Sequence, residues 1–102
     1  MLELRPNCEL CDCNLPADSD QARICSYECT FCASCVDDVL HNVCPNYGGG
    51  FVSRPIRPKT ARKDGVSRAH QKPSDQRKVA KLTRQQMIAF AAAHKAVPPA
   101  QR

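Results

Sequence analysis

The sequence predicts a small metal-stabilised α+β head, built on a short hairpin and one short helix, joined by a flexible basic linker to a C-terminal amphipathic helix. Three observations predict it. Cysteines recur in close pairs through the first half of the chain. Charge is divided between the halves: residues 1–51 carry two basic against eight acidic side chains, a net −6, and residues 52–102 carry thirteen against two, a net +11, giving the +5 of the whole. Finally, residues 74–97 contain neither Gly nor Pro and run into Pro98-Pro99.

Five of the eight cysteines lie in the stretch I-C-S-Y-E-C-T-F-C-A-S-C-V-D-D-V-L-H-N-V-C-P, and Cys8 with Cys11 joins them from upstream. A C-x2-C turn lets two thiolates converge on one ion, but supplies half of a tetrahedral site. Pairs must therefore meet in space, and the chain must fold around the metal. The core is too small to offset the ordering entropy of the head by itself, whereas a structural zinc ion contributes on the order of 10 kcal/mol that is realised on folding. The metal thus accounts for folding before it accounts for any activity. Four disulfides are the competing use of eight cysteines. The opening M-L-E-L-R-P-N carries no apolar run of signal-peptide length, and no stretch approaches a membrane span, so the expectation is a cytoplasmic, reducing setting in which thiols persist as metal ligands.

In chain order, Leu2 and Leu4 alternate with Glu3 as a short strand before Pro6. Cys8-Glu9-Leu10-Cys11 makes the first knuckle, and Asp12 to Gln21 reads as a solvated loop. Ile24 to Phe31 reads as a hairpin with Cys25 and Cys29 near its turn and with Tyr27 and Phe31 supplying core. After Cys32-Ala33-Ser34-Cys35, the apolar residues Val36, Val39 and Leu40 fall at helical spacing. Cys44-Pro45-Asn46-Tyr47 forms another knuckle, and Phe51-Val52 a last short strand. The divisions are a cysteine-rich domain over 1–53, a basic linker over 54–73, a helix over 74–97 and a tail over 98–102.

Read as pairs, the spacing Cys8/Cys11, Cys25/Cys29, Cys32/Cys35 and Cys44/position 47 resembles the RING-type cross-brace, a treble-clef/RING-like arrangement. That resemblance implies one zinc held by Cys8, Cys11, Cys32 and Cys35 and a second by Cys25, Cys29, Cys44 and the residue at 47. The strings M-L-E-L-R-P-N-C, I-C-S-Y-E-C-T-F-C-A-S-C and C-P-N-x-G-G, with R-P-I-R-P after them, also resemble a family of short bacterial proteins known as DUF1272, over residues 1 to about 58. The resemblance implies a metal-binding fold in a bacterial cytosol and brings no established activity. It also implies cysteine where this chain has Tyr47, a poor zinc ligand.

Three arrangements remain open for the second site: an open or weak three-cysteine site, completion by His41, or completion by Cys13. Cys13 is two residues past Cys11 and is expected to compete inside the first site instead. No general base stands out near the second site, since Glu28 is a single solvated acid, and three thiolates weaken zinc as a Lewis acid. The chain is therefore expected not to be an enzyme. Leu10 and Pro45 occupy positions that are apolar and proline in ubiquitin-ligase RING domains, which points to an exposed apolar patch for a protein partner.

In the tail, Ser74 is the expected N-cap of a helix whose one face carries Val79, Leu82, Phe90, Ala93 and Val97 and whose other carries Arg77, Lys81, Arg84 and Lys95. Arg54, Arg57, Lys59, Arg62, Lys63, Arg77, Lys81 and Arg84 are the candidate contacts to nucleic-acid phosphates. No base-reading motif accompanies them, so such binding would be sequence-independent. The stripe packing on the head or on a second copy is the plainer alternative, and an anionic membrane surface is a third, for which the alanine-rich apolar face is weak. Function is expected to be that of a zinc-binding adaptor for protein or nucleic acid. The alternative is a zinc-thiolate redox or metal sensor working through Cys25, Cys29 and Cys44.

Overall fold

The computed structural model describes residues 1–102. Its sheet has three short antiparallel strands in the order β2-β1-β3. β1 (Ala22–Ile24) alternates as a half-buried strand should, with Ala22 and Ile24 inward and Arg23 half-exposed. It pairs with β2 (Thr30–Cys32) in the register Ala22 to Cys32 and Ile24 to Thr30, and with β3 (Val52–Ser53) through Ile24 to Val52. The β1–β2 turn closes through Cys25 N–H to the Cys29 carbonyl at 3.2 Å, with Glu28 in the left-handed region at φ 64°.

β2 runs directly into α1 (Ala33–Cys35), whose first amide is tied to the Gln21 carbonyl at 2.8 Å, and α1 continues as a π-helical segment, Val36–Leu40. Val36, Val39 and Leu40 face inward and Asp37 and Asp38 outward, the face that the apolar spacing assigns. The segment ends because His41 and Asn42 turn left-handed, at φ 47° and 62°. The core cluster contains thirteen buried residues, six of them cysteines, so sulfur rather than hydrocarbon fills much of the interior. Phe31 is its largest member and meets Phe51 edge-on at 5.5 Å.

The tail differs from expectation. The helix, α2, is Arg84–His94 rather than 74–97. Thr83, not Ser74, caps it: the Thr83 hydroxyl accepts from Gln86 N–H at 3.1 Å while the Gln86 side chain accepts from Thr83 N–H at 2.8 Å. Residues 74–80 form no helix, and backbone groups of Ser74, Lys78 and Ala80 bond to the head instead. Ser74 N–H donates to the Glu3 carbonyl and Ala80 N–H to the Glu9 carbonyl, each at 2.8 Å. Between them Asn7 brackets Lys78, accepting from its N–H at 3.1 Å and donating to its carbonyl at 2.7 Å.

Of the stripe expected along Val79, Leu82, Phe90, Ala93 and Val97, Leu82 packs against the core, while the side chains that α2 itself buries, against the π-helical segment, are Met87 and Ala91. Residues 54–73 are also tied down. Arg57 donates to the Gln71 carbonyl at 2.6 Å and the Leu2 carbonyl at 2.8 Å, and Arg68 N–H to the Pro58 carbonyl at 2.8 Å. These bonds close a loop that presents Lys59, Arg62 and Lys63 to solvent.

Other expectations are corrected as well. Leu2–Leu4 forms no strand, because Leu4 is buried in a left-handed conformation at φ 57°. Tyr27 is 71 % exposed and adds nothing to the core. The Leu10/Pro45 patch is absent, because Pro45 is buried and Leu10 packs against the core. No helix is long and apolar enough to cross a membrane.

Because Met87 is the largest side chain that α2 buries, Met87→Ala is expected to cost about 2–5 kcal/mol. Hydrogen exchange at residues 84–94 should accelerate while amides of the β1–β2 hairpin keep their protection; equal acceleration in both would show that α2 is integral to the head.

Candidate metal centre

Two groups of thiols emerge from these elements. The Sγ atoms of Cys8, Cys11, Cys13 and Cys32 all lie within 4.8 Å of one another, and so do those of Cys25, Cys29 and Cys44. Each group could hold a metal ion. The groups interleave along the chain, since Cys25 and Cys29 fall between Cys13 and Cys32.

In the first group the 8–11 turn is closed by Asp12 N–H to the Cys8 carbonyl at 2.9 Å, and Cys11 N–H points at Cys8 Sγ at 3.5 Å. Cys32 arrives at the end of β2, with its sulfur 3.8 Å from that of Cys11. Cys35, on α1, lies beside the Cys8 and Cys32 thiols. Cys11 and Cys13 are exposed, while Cys8, Cys32 and Cys35 are buried.

In the second group the hairpin turn holds Cys25 and Cys29 together. Cys25 Sγ accepts from Tyr27 N–H at 3.4 Å and Cys29 N–H at 3.3 Å, and Asn46 Nδ2 donates to Cys29 Sγ at 3.2 Å. Cys44 comes from the loop after the helical segment, where Cys44 N–H donates to the Gly49 carbonyl and Gly48 N–H to the Cys44 carbonyl, both at 2.7 Å. Gly48 sits at φ 92°, a conformation that any side chain would strain.

Thiols this close cannot all ionise side by side. In the second group, hydrogen bonds from the Cys29 and Cys44 thiols hold Cys25 down to about 2. The same bonds push Cys29 and Cys44 up. In the first group, burial raises Cys11, but the Cys13 amide and the Cys13, Cys8 and Cys32 thiols outweigh it and lower Cys11 to about 7. Burial and then the Cys11 thiol push Cys13 up to about 12, and burial together with Cys32 and Cys8 raises Cys35. Each group thus concentrates negative charge on one sulfur while its neighbours donate to it. A divalent cation removes the penalty for ionising the others and displaces their protons.

The structure does not bring His41 to the second group; it is exposed and ends the helical segment. Tyr47 takes that side instead. Its hydroxyl accepts from Ser26 N–H at 2.9 Å, shares a 2.6 Å hydrogen bond with the Ser26 hydroxyl, and lies beside the Cys25 thiol. Asn46, a donor to sulfur, escaped the sequence reading, although a polar residue inside a knuckle is the available signal for it.

The basic residues divide as well. Arg54 is 5 % exposed and donates to the Arg5, Leu15 and Pro16 carbonyls at 2.7, 3.2 and 3.0 Å, so it is a structural residue and not a phosphate contact. Burial lowers its pKa, and its Nε has no partner. Arg57 is engaged as described, and Arg77 binds Asp12 and Asn14. Lys59, Arg62, Lys63, Lys81 and Arg84 are exposed.

The model of the family described as "Protein of unknown function (DUF1272)" matches residues 1–57. The chain belongs to the DUF1272 family. An uncharacterized protein of Rhizobium meliloti (strain 1021) is 60 % identical over 58 residues, which is 57 % of this chain and 69 % of that one. No solved structure matches the chain. The DUF1272 segment holds both thiol groups and ends at Arg57, whose guanidinium anchors Leu2.

The Asn46 amide donates to Cys29 Sγ at 3.2 Å, the kind of hydrogen bond that outer-shell donors give to metal ligands. Asn46→Ala is expected to weaken metal retention there by about 10- to 100-fold, read by competition with a chromophoric chelator. Unchanged retention would make Asn46 a loop residue only.

Proposed function

We propose that this DUF1272 protein is a zinc-binding, non-enzymatic module of a reducing cytoplasm, in which treble-clef/RING-like thiolate sites hold the head together and exposed basic residues make its contacts. The observation that carries the reading is the pair of interleaved thiol groups in a core where six of thirteen residues are cysteines. Tetrahedral zinc with Zn–S bonds of about 2.3 Å separates its sulfurs by about 3.8 Å, and Cys11 and Cys32 lie 3.8 Å apart. All-thiolate donors favour zinc over the harder divalent ions. Cys8, Cys11, Cys32, Cys35 and Cys13 would supply the first site, and Cys25, Cys29 and Cys44 the second.

The second site has three thiols and a tyrosine, which favours a second reading from another class: a redox or metal sensor that loses this zinc on oxidation. Native mass spectrometry of anaerobically purified protein tests both. One firmly held zinc and one easily extracted zinc are expected. Tyr47→Cys should make the second firm, and His41→Ala should change nothing, since His41 faces solvent. Protein without zinc, or a fold that survives full chelation, would overturn the structural role. Release of a single zinc by mild peroxide together with a change in partner affinity would favour the sensor over the adaptor.

For the contacts themselves, Lys59, Arg62 and Lys63 are exposed on one loop and take part in none of the ion pairs. Such a loop suits a polyanion, bound without regard to sequence. Binding to single-stranded DNA should fall steeply between about 50 and 200 mM salt and disappear when all three residues are changed to Glu. Salt-insensitive binding, or none, would direct attention to a protein partner.

A further inference from the structure

The eight thiols are not shared evenly between the two groups. Five gather at the first, because Cys35 lies beside Cys8 and Cys32 while Cys8, Cys11, Cys13 and Cys32 form the mutually close quartet. Three gather at the second. A tetrahedral ion takes four donors, so the first group has one thiol in excess.

The excess thiol is not on an idle loop. Cys13 is flanked by two residues that the tail grips: Arg77 donates to the Asp12 carbonyl at 2.7 Å, to Asp12 Oδ1 at 2.8 Å and to Asn14 Oδ1 at 2.8 Å. From the other side, Asn7 Nδ2 donates to Asp12 Oδ1 at 2.8 Å, and Cys8 N–H donates to the Cys13 carbonyl at 2.9 Å. Asp12 itself is held left-handed at φ 60°, a conformation that costs a non-glycine residue and needs such support. These contacts fix the backbone so that the Cys13 sulfur stands within 4.8 Å of those of Cys8, Cys11 and Cys32.

The geometry points to Cys13 as an exchangeable fourth ligand of the first site, held in place by Arg77 and alternating with Cys35 around a constant set of Cys8, Cys11 and Cys32. The inference rests on the zinc reading given above. In the exchange one zinc–sulfur bond forms to Cys13 as the bond to Cys35 breaks, and the proton that Cys13 gives up passes through solvent to the departing Cys35 thiol. No oxidant or reductant is involved. Cys13 is exposed and Cys35 buried, so the Cys13 form places the metal at the surface, where an incoming thiol or chelator can attack. The site then keeps four donors throughout and still has a route for metal to enter and leave.

The test uses the full-length zinc-loaded protein. Zinc stoichiometry is measured for wild type, Cys13→Ser, Cys35→Ser and the double variant, and iodoacetamide labelling of Cys13 is followed by mass spectrometry in wild type and Arg77→Ala. Each single variant is expected to keep the first-site zinc and the double variant to lose it. Cys13→Ser should release that zinc to a chelator more slowly than wild type. Cys13 in the wild type should label at least about tenfold more slowly with zinc than without, because the bound thiolate is withdrawn from reaction, and Arg77→Ala should remove most of that protection. Loss of the zinc in Cys35→Ser while Cys13 in the wild type labels equally fast with and without zinc would overturn the proposal. The labelling arm decides even if Cys35→Ser does not fold. Wild-type protein that holds no first-site zinc would overturn the zinc reading itself, and this inference with it.

Discussion

Crowded sulfur is what the rest of this structure answers to. Thiols within 4.8 Å of one another occupy the place where a larger domain would pack aliphatic side chains, and they cannot all carry charge at once. The short strands and the helical segment exist to deliver them. β1 and β2 present Cys25, Cys29 and Cys32 from one hairpin, and the turn into α1 brings Cys35 alongside. Backbone amides and Asn46 then supply hydrogen bonds to sulfur. Each element is too short to be stable alone, so on the proposed reading the cation that relieves the crowding also supports the secondary structure.

The second half of the chain serves the first in a way that its charge alone disguises. An acidic head and a basic tail invite the picture of a tethered arm. Instead, several of the arginines are spent internally: Arg54 on three carbonyls, Arg57 on two, and Arg77 on Asp12 and Asn14. Arginine suits this work because its planar fork satisfies several acceptors at once and remains charged when buried. Basic side chains that stay exposed include Lys59, Arg62 and Lys63 on one loop and Lys81 and Arg84 at the start of α2.

How far the sequence could be read follows from which features are local. The hairpin, the inward face of Val36, Val39 and Leu40, and the last short strand depend on spacing over a few residues, and they were legible. The capping box of α2 was equally local, T-R-Q-Q, but the unbroken helical composition from Ser74 concealed it. The non-helical course of residues 74–80 was not legible, because it depends on carbonyls near the start of the chain that composition does not reveal. At the candidate centre, the short spacings brought forward the cysteines, while the roles of Cys13, Asn46 and Tyr47 depend on side chains that meet only when the loops close. His41 had the right chemistry at the right interval and was lost to a backbone turn.

Arg54 and Arg57 also define where the cysteine-rich part can be cut. A boundary after residue 53 looks natural from composition, since prolines and basic residues begin there. Such a cut would strip the donors from the carbonyls of Leu2, Arg5, Leu15 and Pro16, leaving unpaired acceptors under both ends of the first knuckle. Extending the piece through Arg57, where the family match ends, restores those donors but still removes the ones that Ser74 and Ala80 give to the Glu3 and Glu9 carbonyls and that Lys78 gives to Asn7. The family match and the hydrogen-bonded head therefore do not end at the same residue.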